Sequence, residues 1–187
     1  MELCFTIELP LAVKDQIGKE TIKLFEDYKE FLWYDPQEYR IVLHVLHAVD
    51  GELLPKLQEK VEAMLFEVNT IQLFAHAYVI KIASRIDIKL EFQREAHFTR
   101  LVRLIADTFA GVGIPGDDNY ASVALARYKI PSKQQYSHLK NKLERLETAV
   151  ELAVTEVTVC KMTEFGKGAR VGEALFTVPL VAKKTEV

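Results

Sequence analysis

Hydrophobic and polar positions follow two alternating rhythms along this chain. Residues 2–9 are a short apolar run that stops at Pro10, which reads as a strand. Over 12–32 the spacing becomes helical, with Val13, Ile17, Leu24, Phe25 and Phe31 on the inner side. Trp33-Tyr34-Asp35-Pro36 is a turn, and the run Y-R-I-V-L-H-V-L-H-A-V over 39–49 is a second strand, broken by Asp50-Gly51. Leu53, Leu57, Val61, Leu65 and Val68 recur at helical spacing, so 52–68 is a helix lying on the sheet. From Ile80 to Phe92 every second residue is apolar except Ser84, the pattern of a half-exposed antiparallel strand. At ~3.3 Å per residue an unbroken strand over 79–93 runs to about 50 Å, too long for this chain, so a bend or bulge is expected near Ser84-Arg85.

The second half repeats this grammar. Residues 94–112 read as a helix with Phe98, Leu101, Leu104, Ile105 and Phe109 inside, closed by Gly111 and Gly113. Ile114-Pro115-Gly116-Asp117 fits a type II turn, and 119–129 is a strand. Ser132 caps a helix from 133 to about 148 that carries Leu139, Leu143 and Leu146. Strands over 154–162 and 171–182 follow, joined by a loop with Gly166-Lys167-Gly168. This order predicts an α+β fold of two similar lobes with a mostly antiparallel sheet. No linker-like stretch divides it, so 1–187 is expected to be a single bilobal domain.

Composition narrows the class. The chain has 187 residues, is 49% hydrophobic and 27% charged, and carries a formal charge of −3, which suits a globular protein and gives no global basic field for nucleic acid. No stretch approaches the ~18 apolar residues of a membrane span and the N-terminus lacks a secretory pattern, so a cytoplasmic protein is expected. Cys4 and Cys160 have no metal-ligand spacing and read as reduced, buried thiols in strands. His44, His47, His76 and His138 likewise show no ligand spacing, so no metal or other cofactor is expected.

Several local strings carry a resemblance. I-E-L-P before a helix, then E-Y-R-I-V-L-H-V-L-H-A-V-D, then S-V-A-L-A-R-Y-K over 122–129, and finally V-T-V-C-K-M-T and G-K-G-A-R-V-G-E-A-L-F-T-V-P-L span nearly the whole chain. In this order they resemble the 2H phosphoesterase superfamily, in its 2′-5′ RNA ligase or RNA 2′,3′-cyclic phosphodiesterase branch. The resemblance implies two pseudo-twofold lobes with antiparallel sheets around a central groove, helices outside, and one H-x-T-L motif strand from each lobe. Arg40 and Ser122, 82 positions apart, begin the two corresponding strings. It also implies a mechanism in which one His activates the nucleophile, the other protonates the leaving ribose oxygen, and the Ser/Thr of each motif holds the phosphate. Residues i and i+2 suit that role because a strand's period of two turns both to one face.

Here the motif positions are Arg40 and Val42 in the first string and Ser122 and Ala124 in the second. Arginine keeps its proton above pH ~12, serine unaided is no base, and valine and alanine offer no hydrogen bond, so no catalytic residue is expected at any of the four. His97-Phe98-Thr99 has the motif's form but falls on a helix, where positions i and i+2 diverge by ~200°. The expected function is therefore a pseudoenzyme that binds a nucleotide or an RNA 2′ or 3′ end, with no membrane or DNA partner. An active phosphodiesterase with non-standard residues and an interaction module with a closed groove are the alternatives.

Strict alternation places Arg40, Val42, His44 and Leu46 on one face, and Ser122, Ala124, Ala126 and Tyr128 on the matching face. The ligand-binding candidates are accordingly Arg40 as a bidentate clamp, His44, Ser122 as a donor, Tyr128 as a stacking surface, and Lys167 and Arg170 at the groove mouth. A salt bridge from Arg40 to Asp117 or Asp118 is the structural alternative, while Arg127 and Lys129 should face away. The mixed charges of the helix after Ser132 suggest a solvated face.

Overall fold

The computed structural model describes residues 1–116, 120–165 and 168–181, and only the backbone of 163–165 and 168–171. Among the described residues, ten strands and four helices follow in the order β1 (Leu3–Glu8), α1 (Leu11–Asp27), β2 (Leu32–Trp33), β3 (Arg40–Leu46), α2 (Leu54–Leu65), β4 (Ile71–Ile82), β5 (Ile86–Phe92), α3 (Ala96–Thr108), β6 (Ile114–Pro115), β7 (Ser122–Tyr128), α4 (Lys133–Leu143), β8 (Glu151–Val154), β9 (Glu156–Phe165) and β10 (Gly168–Pro179). The architecture is α+β, as the alternating rhythms predict. None of these helices is long and apolar enough to cross a membrane.

The strands form a curled antiparallel sheet ordered β10-β9-β1-β3-β7-β5-β4-β8. Its midline is the β3–β7 junction, where Ile41 pairs with Val123, the middle residues of the two strings R-I-V and S-V-A. The halves on either side are related by a pseudo-twofold visible in the register itself. Leu32 and Trp33 of β2 cross to pair with Arg127 and Ala126, and 82 positions on, Ile114 and Pro115 of β6 cross to pair with Val45 and His44. The helices cross over too. Helix α1 follows β1 yet reaches the far half, where the Tyr78 hydroxyl donates to Glu20 Oε2 at 2.6 Å and Phe31, just beyond the helix, stacks on Tyr128 at 4.4 Å. Conversely, Phe109 at the end of α3 packs on Phe5 of β1 at 5.3 Å.

Several boundaries differ from the sequence reading. Helix α1 ends at Asp27; Phe31 is buried from the following turn, and Phe25 is 45% exposed against Trp33 instead of lying inside. In α3 Leu104 is also exposed. The alternation over 80–92 is not one bent strand but the return of a hairpin: β4 runs from Ile71, and the chain reverses at 83–85, where Ala83 N–H donates to the Arg85 carbonyl at 2.8 Å. A reversal meets the length limit more cheaply than a 50 Å strand, because the apolar side of both arms then faces one core. The 154–162 run is split at Thr155 into β8 and β9.

Ile114-Pro115-Gly116 is not a type II turn, since Gly116 lies outside the positive-φ region. Ile114 and Pro115 instead lie flush along β3, Gly116 N–H donates to the Leu43 carbonyl at 2.8 Å, and a Cβ on Gly116 would sit 2.6 Å from the Val42 carbonyl oxygen. The glycine permits close backbone approach rather than a special dihedral angle. Gly111 and Gly113, by contrast, take φ of 78° and 110° after α3, as expected for residues that close a helix. Ser132 caps α4 in a reciprocal box with Gln135, as its position predicts.

Candidate ligand-binding site

The site is built on β3 and β7, and a pair of β-bulges shapes it. Along β1 and β3, Val42 faces Thr6 and His44 faces Phe5, so β3 advances two residues while β1 advances one, and Leu43 is the extra residue. Along β5 and β7, Ala124 faces Lys89 and Ala126 faces Ile88, leaving Leu125 as the extra residue. Both leucines are fully buried, a gain of roughly 1.5–3 kcal/mol each. Each bulge reverses the alternation beyond it. Arg40 and Val42, with Ser122 and Ala124, lie on the sheet face turned away from the helices. Residues past the bulges exchange faces.

That exchange corrects the expected placements of Leu46 and Ala126, both buried, and of His44, Tyr128 and Arg127. His44 turns to the helix side, where it is 2% exposed, between Phe5 at 6.3 Å and Phe109 at 6.4 Å, with Nε2 3.3 Å from the Val112 carbonyl oxygen. Tyr128 stands opposite Ile86 on the helix side, and its ring is covered by Phe31. Arg127, expected to face away, stands opposite Asp87 on the face that carries Ser122, with its guanidinium 5.4 Å from the Tyr34 ring. A strict period of two cannot anticipate these reversals, because the bulge is a property of the strand pair. Lys167, Asp117 and Asp118 lie outside the described residues, as does the side chain of Arg170.

Around the four motif positions the structure gathers residues that alternation alone did not mark. Arg40 stands opposite Glu8, with Nη1 3.2 Å from Oε1, and its Nε–H donates to the Glu38 carbonyl at 3.1 Å. Among the described residues Arg40 thus forms an ion pair with the neighbouring strand β1. The Thr6 hydroxyl shares its one proton between two acceptors at 3.3 Å, Glu8 Oε1 and the Thr158 carbonyl oxygen, and lies 3.6 Å from Cys160 Sγ. Cys160 pairs in register with Cys4, and both thiols are buried and free. Burial pushes the Cys4 thiol up to about 12, with the neighbouring Cys160 and Glu8 acting in the same direction and the Arg40 guanidinium opposing them. Burial raises Cys160 too, against the Thr6 hydroxyl, which favours its thiolate.

In the other half Glu91 stands opposite Ser122, as Glu8 stands opposite Arg40. Glu91 is paired with Lys81 of β4, whose Nζ is 2.5 Å from Oε1, and the Lys81 ammonium also lies 5.9 Å from the Tyr120 ring. Each half therefore places a glutamate beside the first motif position and a cation on that glutamate. The signal was in the sequence as a second internal match, T-I-E-L at 6–9 against K-L-E-F at 89–92, one residue out of step with the motif offset.

This arrangement of a curled antiparallel sheet, crossed helices and two central strands recurs in solved structures over nearly the whole chain. The Thermus thermophilus protein TT0787 superposes with a TM-score of 0.73 at 15% identity, covering 98% of this chain and 100% of that one. Escherichia coli LigT in complex with 3′-AMP superposes with a TM-score of 0.70 at 18% identity, covering 96% and 97%. Kluyveromyces marxianus Usb1 gives 0.56 at 11% identity, covering 96% and 98%. The chain has the 2H phosphoesterase fold. No protein-family model and no curated sequence matches it. LigT has been crystallised with ATP and with NADP+ as well as with 3′-AMP. Within the 2H fold of this chain, the two central strands meet at the residues singled out by the motif strings, and the chemistry there is a cation, a hydroxyl and two aliphatic side chains, flanked by two paired glutamates.

Proposed function

We propose that this protein binds a nucleotide or an RNA 2′ or 3′ end where β3 and β7 meet, as one bilobal unit, and that it lacks the two-histidine chemistry of catalytic 2H proteins. The observation that carries this reading is the fate of the histidine chemistry. Arg40, Val42, Ser122 and Ala124 supply no group that transfers a proton near neutral pH, and the adjacent His44 is buried on the opposite face against Phe5 and Phe109. A lone imidazole behind the sheet can reach neither end of a phosphodiester. Binding chemistry does remain: Arg40 offers a fixed cation to a phosphate and Ser122 a hydroxyl. The LigT complexes with 3′-AMP, ATP and NADP+ make a nucleotide the ligand class to test.

The test is calorimetric titration with 3′-AMP and a 2′,3′-cyclic nucleotide, with turnover followed in parallel by phosphorus NMR. Saturable binding without turnover is expected, weakened tenfold or more in Arg40→Ala, since a charge-assisted contact contributes about 1.5–3 kcal/mol. Hydrolysis of the cyclic nucleotide that is lost in Arg40→Ala overturns the reading. Absence of binding to both proteins removes the ligand from it.

A further inference from the structure

Arg40 already holds an anion. Its Nη1 is 3.2 Å from Glu8 Oε1 and its Nε is committed to the Glu38 carbonyl at 3.1 Å. The carboxylate also accepts from the Thr6 hydroxyl, which is buried and shares its proton with the Thr158 carbonyl at the same 3.3 Å. From this geometry we infer that Glu8 is a built-in occupant of the anion position on Arg40, and that a ligand phosphate binds by displacing it. The inference rests on the reading of Arg40 as the phosphate contact.

Which partner yields follows from burial and tethering. The Arg40 side chain is 14% exposed and its Nε is tied to the Glu38 backbone carbonyl, whereas that of Glu8 is 32% exposed at the end of β1 and, apart from Arg40, is tied to the Thr6 side chain. A guanidinium that kept its carboxylate would present a neutral pair to an incoming phosphate, and the Glu8 charge would repel it. Release of Glu8 turns the same residues into an unscreened cation. Affinity for an anion is thus set by a competition within the strand pair β1–β3, and Glu8 discriminates against weak anions that cannot win it.

The pseudo-twofold supports a designed arrangement rather than an incidental surface pair. Glu91 occupies the position equivalent to Glu8 and is also neutralised, by Lys81 at 2.5 Å. Only in the first half does the neutralising cation come from the motif position itself, so only there does displacement expose a ligand contact.

Inorganic phosphate and 3′-AMP titrated into the full chain, Glu8→Gln, Thr6→Val and Arg40→Ala, at fixed pH and ionic strength, test this. Glu8→Gln keeps the side-chain shape and removes its charge, and it is expected to bind both probes about fivefold more tightly, the scale of a partly exposed ion pair. Thr6→Val, which frees the carboxylate, is expected to give a smaller gain in the same direction, and Arg40→Ala to lose binding. If the unaltered chain binds while Glu8→Gln, folded by circular dichroism, binds equally or more weakly, the displacement is overturned and the site stands. If no variant binds either probe, both fall. Binding by Glu8→Gln alone supports a Glu8 that excludes these anions.

Discussion

Single residues in this chain do work that their identity alone does not reveal, and the glycines make the point. Gly113 takes φ of 110°, and a Cβ there would lie 1.9 Å from the Val45 carbonyl oxygen. Gly18, inside α1, has nothing within 4 Å of the same atom. Gly113→Ala is expected to cost about 2 kcal/mol or more, because both the dihedral angle and the contact with β3 must change. Gly18→Ala is expected to stabilise by roughly 0.5–1 kcal/mol, through helix propensity alone. Urea denaturation of the two variants distinguishes them, and equal effects would contradict the packing described. At the candidate site, Arg40, Val42, Ser122 and Ala124 could be grouped from sequence because the strings around them recur at one offset, and β3 and β7 do bring those positions together. Glu8 could not be so grouped, since a glutamate at the end of a short strand carries no mark of the arginine that will stand opposite it. His44 and Tyr128 were misplaced for a related reason: one extra residue in a strand pair reverses every side chain beyond it.

At the scale of elements, apolar periodicity located most helices and strands but missed their partners. The hairpin β4–β5 was hidden because the chain reverses through Ala83-Ser84-Arg85, which lacks the Gly or Asn that usually marks such a turn. The β1–β9 pairing was likewise invisible, and it places Cys4 directly opposite Cys160 although they are 156 positions apart. Its consequence is a pH dependence. In the unfolded chain the Cys4 thiol titrates near 9.0 and in the folded chain it is pushed up to about 12; burial likewise raises the Tyr39 phenol from 10.0 to about 12. Between those values the unfolded chain has released protons that the folded chain retains, so stability is complete below about pH 9 and falls as pH rises toward 12. Each group contributes a limiting slope of about 1.4 kcal/mol per pH unit. Urea midpoints between pH 8 and 11 should fall accordingly, with a shallower fall in Cys4→Ala. Parallel curves for the two proteins would show that the thiol is not buried as described.

The whole molecule is governed by the pseudo-twofold, and this was the most legible feature of all. The 82-residue offset between R-I-V-L and S-V-A-L is carried through β2 and β6, both central strands and both bulges. An offset kept so closely means that the scaffold around the motif positions does not depend on what stands there, because Leu43, Leu125 and the crossed strands are held by burial and backbone pairing. The scaffold is then expected to tolerate exchange at all four positions. The combined variant Arg40→His, Val42→Thr, Ser122→His and Ala124→Thr should therefore fold and should hydrolyse a 2′,3′-cyclic nucleotide measurably above the uncatalysed rate. General acid and base catalysis together supply factors of about 10² or more, and only when both partners are present. Either histidine alone should restore little, and the combined variant should show a bell-shaped pH profile, one limb from the base and one from the acid. A folded combined variant without turnover would mean that the two strands, though in register, no longer hold the motif positions at the separation a phosphodiester requires.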